Sequence, residues 1–198
     1  MIQKNTDFAA LIGSRICHDL ISPIGAINNG IELLEMSKPA PSPEMSLISE
    51  SVSSASARIR FFRIAFGAAG DQMVGRPEIM SIVEDVYSGG RLTVAWGPLD
   101  GQMRGDLRLS FLGLLCLETA MPFGGRIEVE QNGNAIVLKG HADKFILDDS
   151  LWERLDGKPG SSDLRPAHVQ FGLLPMIAND EGKAIKTAYT QTMLSITL

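Results

Sequence analysis

The sequence predicts an α+β protein, in which a helical hairpin precedes a sandwich of helices and a mixed β-sheet. In the first third of the 198 residues, apolar side chains recur every three or four positions, which is the spacing of helices. The rest of the chain changes between short helical stretches and segments that alternate apolar and polar residues, with Gly and Pro between them. We therefore expect two domains, residues 1–70 and 71–198.

A first helix is expected to begin near Asn5-Thr6-Asp7, whose side chains suit an N-cap. It should end near Ser37, because Pro39 and Pro41 follow and cannot continue a helix. The apolar residues between these points form a seam with steps of three and four, as in helices that pack along their length. The seam residues are Ile16, Leu20, Ile24, Ile27, Ile31 and Leu34.

A second helix should be capped by Ser42, begin at Pro43 and end before Gly67 and Gly70. Two helices alone cannot enclose two such seams, and exposed apolar surface costs about 25 cal/mol per Å². We expect a second copy of the chain to cover them in a dimeric four-helix bundle. The alternative is that the hairpin packs on the rest of its own chain. The second seam is Ile48, Val52, Ala55, Ile59, Phe62 and Phe66.

The second domain is expected to place helices on one face of a mixed sheet. Arg76-Pro77-Glu78 should open a helix that ends near Tyr87, and Asp106 should cap a buried helix that reaches Ala120. Asn132-Gly133 should form a hairpin turn. The remaining expected elements are strands 91–96, 126–130, 135–140, 184–189 and 192–197, a short helix 148–155, and a helix from Asp163 or Arg165 to about Asn179.

Composition excludes several classes of protein. The net charge of −5 argues against nonspecific nucleic-acid binding, which needs a basic surface. No apolar run approaches the roughly 20 residues that span a membrane, and the N-terminus lacks the apolar core of a signal peptide. Cys17 and Cys116 lie in apolar helical patterns, without a CxxC or a cluster with His that would suggest a metal site. We expect a cytoplasmic protein with no membrane contact.

The segment from Ser14 to Ile24 contains the candidate reactive residues. It contains His18, then Asp19 and Leu20, two further residues, and Pro23 before an aliphatic residue. This order resembles the H-box of sensor histidine kinases, which also lies on the first arm of a helical hairpin. A neutral imidazole is nucleophilic near neutral pH, because its ordinary pKa is about 6.5. The resemblance implies that Nε2 of His18 accepts a phosphoryl group and that Asp19 orients the ring. The alternative is that His18 is an exposed helical histidine without a function.

Small and polar residues follow His18 at steps of four, three and four: Ser22, Gly25 and Asn29. Small side chains would let a partner protein approach the histidine, so we expect a docking surface here. Arg15 lies almost one turn before His18 and can help to neutralise a phosphoryl group. The second helix should form the other wall of the docking groove, with Arg58, Arg60 and Arg63 as candidates. His141 and His168 are expected to be structural.

The stretch from Leu114 to Val129, a buried helix followed by Pro, Gly-Gly and a strand, resembles the GHKL-type ATP-binding domain of histidine kinases. That family has an Asn on this helix, and no Asn occurs between Arg104 and Gln131. Residues 139–145 stand where the family has Asp-x-Gly-x-Gly. Gly157, Gly160 and Gly172 are too widely spaced to wrap phosphates. We expect a GHKL-like sandwich without an ATP site.

A hairpin with an H-box on such a domain is similar to the ChpT family of bacterial histidine phosphotransferases, in which Ser14-Arg15-x-Cys17-His18-Asp19-Leu20-x-Ser22-Pro23 is the matching signature. The resemblance implies a homodimer that takes phosphate from the receiver domain of a hybrid histidine kinase and passes it to response regulators. It implies no cofactor, since the partner receiver supplies Mg²⁺. Two alternatives are a divergent histidine kinase and a non-catalytic interaction module that binds a receiver or kinase.

Overall fold

The computed structural model describes residues 13, 20–21, 24–25, 27–34, 36, 42–68, 70–97, 100–133, 135–158 and 164–198. The chain forms two compact units, Met1–Ala69 and Gly70–Leu198. Among the residues that the structure describes, no helix combines the length and the apolar character needed to cross a lipid bilayer.

The first unit contains a helix, α1, whose described residues 20–21, 24–25, 27–34 and 36 are helical. Its expected ends near Asn5 and Ser37 lie outside the described residues. Within the single chain the seam is unevenly covered: Ile31 is 6 % exposed, whereas Ile27 is 47 % and Leu34 is 50 % exposed. A large part of the seam of α1 is therefore open in one copy of the chain.

The second helix of this unit, α2, spans Pro43–Ala65. As predicted, Ser42 is the N-cap: its side-chain oxygen accepts a hydrogen bond from the Met45 amide at 3.3 Å. Glu44 lies in the first turn, where hydrogen bonds from its own backbone amide and from Ser42 lower the pKa of its carboxyl. These contacts satisfy amide groups that have no partner inside the helix.

Burial along α2 differs from the seam that the sequence predicts. The buried residues are Ala57, Phe61, Ile64 and Ala65, all outside the seam. The seam residue Ile48 is exposed, and Ile59 is half-buried. The reason is that the second half of α2 is apolar on two sides, and a heptad pattern identifies one side only.

The second unit contains the remaining elements. Its helices are α3 (Arg76–Tyr87), α4 (Arg104–Ala120), α5 (Asp149–Leu155) and α6 (Gln170–Asp180), with a 3₁₀ helix at Pro166–His168. Its strands are β1 (Met73–Val74), β2 (Leu92–Trp96), β3 (Gln102–Met103), β4 (Gly125–Asn132), β5 (Ala135–His141), β6 (Lys186–Tyr189) and β7 (Met193–Thr197).

Five of these strands form one mixed sheet in the order β2-β4-β5-β7-β6. The β2–β4 pair is parallel and the other pairs are antiparallel. Alternate strand residues such as Ile127, Val129 and Leu138 are fully buried, as is most of α4. The helices thus cover one face, and the predicted α+β architecture is confirmed.

Three local predictions need correction. Helix α4 begins at Arg104, so Asp106 is not its cap; Asp106 lies in the first turn and forms an ion pair with Lys183. Asn132 still pairs with Ala135 and is the last residue of β4, so it belongs to the strand and the turn begins after it. The small antiparallel pair of β1 and β3 was not predicted, because two-residue strands are too short to show alternation.

Candidate functional site

The predicted phosphotransfer site is only partly described by the structure. Arg15, His18, Asp19 and Ser22 lie outside the described residues. The docking candidates Gly25, Asn29, Arg58 and Arg63 are described, together with Arg60. The structure therefore describes the part of α1 that follows Leu20 in the sequence, and helix α2.

Gly25 and Asn29 are both helical and lie one turn apart on α1. A Cβ atom added to Gly25 would meet no other atom within 4 Å. Asn29 is exposed. The surface of α1 is therefore open at both positions, as a docking surface requires.

The three arginines of α2 are half-buried, and each already interacts with another group of the chain. Consecutive residues of an α-helix are about 100° apart around its axis. Arg58 and Arg63 are therefore about 140° apart, whereas Arg60 and Arg63 are about 60° apart. Arg58 and Arg63 therefore lie on different sides of α2 and cannot both line one narrow groove. The three predicted arginines thus mark two alternative sides of α2 as the wall of the groove.

The second unit contains a cavity of about 440 Å³ at the edge of the sheet where β4 begins and β5 ends. The register pairs Arg126 with His141, and this brings the start of one strand beside the end of the other. Sequence reasoning missed this cavity, because its walls come from segments that are far apart in the chain. Its lining residues are Phe123, Gly124, Gly125, His141, Ala142, Asp143, Lys144 and Thr192.

The two glycines are required by the close approach of these segments. Gly124 and Gly125 have φ values of +95° and +143°. A Cβ atom on Gly125 would lie 2.3 Å from the backbone oxygen of His141. Only a residue without a side chain fits there. The Gly-Gly pair that separates α4 from β4 thus also shapes the cavity.

Charged groups of both signs surround the cavity. Nε2 of His141 lies 3.6 Å from a carboxylate oxygen of Glu128, and Arg126 forms an ion pair with the same carboxylate at 3.1 Å. Asp143 and Lys144 are exposed at the rim. Among the described residues, no three His, Cys, Asp or Glu side chains are grouped so as to hold a metal ion. The structural role expected for His141 stays a prediction.

The end of α4 is tied to the start of α6 by side chains. The Gln170 amide nitrogen donates to the hydroxyl of Thr119 at 3.1 Å and to the carbonyl of Ala167 at 3.2 Å. Gln170 is buried, so these bonds satisfy a polar group that would otherwise be costly to bury. Cys116, on the same helix, is buried too, and burial raises the pKa of its thiol well above the ordinary value. It behaves as a core residue.

Comparison with known proteins gives consistent matches. Residues 76–192 match the family described as Histidine phosphotransferase C-terminal domain. The Protein phosphotransferase ChpT of Brucella abortus (strain 2308) is 39 % identical over 131 residues, which are 65 % of this chain and 62 % of that protein. The match thus spans less than two thirds of the relative's length.

One solved structure shows the same similarity. A bacterial phosphotransferase matches with a TM-score of 0.70 and 31 % identity, over 96 % of this chain and 95 % of that one. The histidine kinase AdeS of Acinetobacter baumannii is more distant, with a TM-score of 0.42 and 11 % identity over 91 % of this chain and 95 % of that one.

Proposed function

The chain belongs to the histidine phosphotransferase family and is a ChpT-type protein, and from this membership we propose that it is a phosphorelay carrier. His18 accepts a phosphoryl group from the receiver aspartate of a hybrid histidine kinase and passes it to the aspartates of response regulators. The main support for the proposal is the family match over residues 76–192. The segment around His18 supplies the residues that this chemistry needs.

The transfer itself needs few groups. The neutral imidazole of His18 attacks the phosphorus atom of the aspartyl phosphate; the bond from phosphorus to the carboxylate oxygen breaks, and a phosphorus–nitrogen bond forms. A Mg²⁺ ion held by the receiver would supply neutralisation of the developing charge, so this chain has to contribute only a positioned nucleophile. Asp19 accepts the hydrogen bond of the other ring nitrogen and keeps the imidazole oriented. Return transfer to a second receiver follows the same path in reverse.

A homodimer is part of the proposal. The seam residues Ile27, Leu34 and Ile48 are large, apolar and substantially exposed in one chain. Adjacent exposed apolar residues of this kind mark an interaction surface, and the seam spacing favours another pair of helices as the partner. A second copy would cover both seams in a four-helix bundle.

The second unit is proposed to bind no ATP and to have no autokinase activity. Support comes from the sequence, in which the motifs that hold nucleotide in the resembled kinases are missing. Phosphate would then reach His18 only from a receiver domain.

Transfer in solution tests the proposal. Receiver domains from hybrid kinases of the same genome are phosphorylated with labelled phosphate, freed of donor, and mixed with the full chain. We expect label to move to this chain as acid-labile phosphate, and the His18→Ala variant to take up none. Label that stays on every receiver contradicts the proposal. Complex formation without any transfer would instead favour the interaction-module alternative.

A further inference from the structure

One strip of α1 changes character along its length. Gly25, Asn29, Leu33 and Met36 follow one another at steps of four, four and three, so they lie on one side of the helix. The strip is open at Gly25 and polar at Asn29, and then becomes apolar: Leu33 is 65 % and Met36 is 84 % exposed. Two large apolar side chains thus extend into solvent beside the small residues.

These two side chains do not belong to the dimer seam. Leu34 is a seam residue, and Leu33 lies about 100° from it around the helix. Met36 lies about 160° from Leu34 in the same sense, and therefore about 60° from Leu33. A second copy that covers the seam would therefore leave the outer side of α1, with Leu33 and Met36, uncovered.

We propose that Leu33 and Met36 form the apolar far end of the receiver-docking surface, and that they contact apolar side chains of the receiver. This inference rests on the proposed function and names further residues of the same site. The continuity with Gly25 and Asn29 identifies the occupant, because a partner that lies over those small residues meets Leu33 and Met36 next.

The dimensions fit a receiver domain. His18 and Met36 are 18 positions apart in the sequence, which equals five helical turns, or about 27 Å if α1 is continuous between them. A compact domain of about 120 residues has a radius of gyration near 14 Å, and therefore a diameter of about 35 Å. One domain can thus place its aspartate at His18 and still reach Met36.

The two ends of the surface would act differently. Small residues near His18 permit close approach and contribute little contact area. Exposed Leu and Met side chains lose water when a partner covers them, and a few such residues supply much of the affinity of an interface. Leu33 and Met36 would therefore set affinity and partner choice, while the chemistry remains at His18.

Two adjacent leucines provide a matched test. Leu33→Ser and Leu34→Ser make the same chemical change, one on the strip and one on the seam. For Leu33→Ser, and for Met36→Ser, we expect the receiver concentration at half-maximal transfer rate to rise at least about tenfold. The maximal rate should stay within about twofold, and the dimer should persist in light scattering. Leu34→Ser should weaken the dimer instead. Ile146→Ser, at an exposed apolar position of the second unit, should leave transfer unchanged.

The probe is the receiver domain that transfers fastest to the wild-type chain. If Leu33→Ser and Met36→Ser transfer with unchanged concentration dependence, the apolar end of the surface is not used and this inference is overturned. If Leu33→Ser gives monomers, the residue belongs to the interface between copies, and the inference is equally overturned. If the wild-type chain accepts phosphate from no receiver, it is the proposed function that fails.

Discussion

The ammonium nitrogen of Lys144 lies 5.4 Å from the centre of the Phe123 ring. This distance is typical of a cation–π contact. The two side chains lie at the rim of the cavity in the second unit. Phe123 is 65 % exposed, so Lys144 shares the ring with solvent. The ammonium group of Lys144 thus occupies one face of this ring.

The first prediction is that Mg·ATP does not stabilise the chain. A nucleotide at 100 times its Kd would stabilise the folded state by about 2.7 kcal/mol, which would raise Tm by several degrees in a domain of this size. We expect no change in Tm with 1 mM Mg·ATP. A rise of several degrees would favour the divergent-kinase alternative.

The second prediction concerns Gly125. An alanine there would need φ of +143° and would place its Cβ 2.3 Å from the His141 oxygen. Gly125→Ala should therefore lower the free energy of unfolding by about 3 kcal/mol or more. Gly89 also has positive φ, +69°, but has open space around it, so Gly89→Ala should cost only about 1–2 kcal/mol. Urea denaturation of both variants measures the difference, and equal losses would contradict the steric explanation.

Local chemistry explains what the sequence predicted well. Ser42 and Pro43 mark the start of α2 because capping depends on neighbouring residues alone. The helix over 76–87 and the alternating strands β4 and β5 were likewise readable from local patterns. In each case the signal lies within a few residues of the feature that it predicts.

Long-range pairing explains what the sequence could not provide. Asp106 was expected to cap α4, but its partner is Lys183, 77 positions away. The cavity exists because the sheet register places Gly125 beside His141. The strip that is proposed for docking could be predicted from the sequence only as far as Asn29, because Leu33 and Met36 look like ordinary apolar helix residues until their exposure is known.

The third prediction concerns the dimer. Ile27→Asp or Ile59→Asp would place an unpaired carboxylate in the covered seam, at a cost of several kcal/mol. We expect monomers or aggregates at micromolar concentration in light scattering, and a dimer for the wild-type chain. A wild-type mass of one chain would refute the proposed bundle.

The fourth prediction concerns Asp19. Asp19→Asn keeps the size of the side chain and removes the charge of the group that is proposed to orient His18. Transfer should slow by about 10²-fold or more, since the same change at the orienting Asp of a catalytic triad slows its enzyme by about 10⁴-fold, while dimer mass and Tm stay near those of wild type. An unchanged transfer rate would mean that the orienting acceptor is another group.

The last prediction concerns docking at Gly25. Gly25 and Gly30 both have open space where a side chain would be added, and they lie about 140° apart around α1. Gly25→Arg should keep the dimer but obstruct the receiver, so that transfer slows in both directions. Gly30→Arg adds the same side chain to the same helix about 140° from Gly25, and it should slow transfer much less than Gly25→Arg. Gly25→Ala is the control for helix stability, because it stabilises the helix by about 1 kcal/mol and adds little volume to the proposed docking surface. If Gly25→Arg exchanges phosphate as fast as Gly30→Arg, the receiver docks on another side of the hairpin.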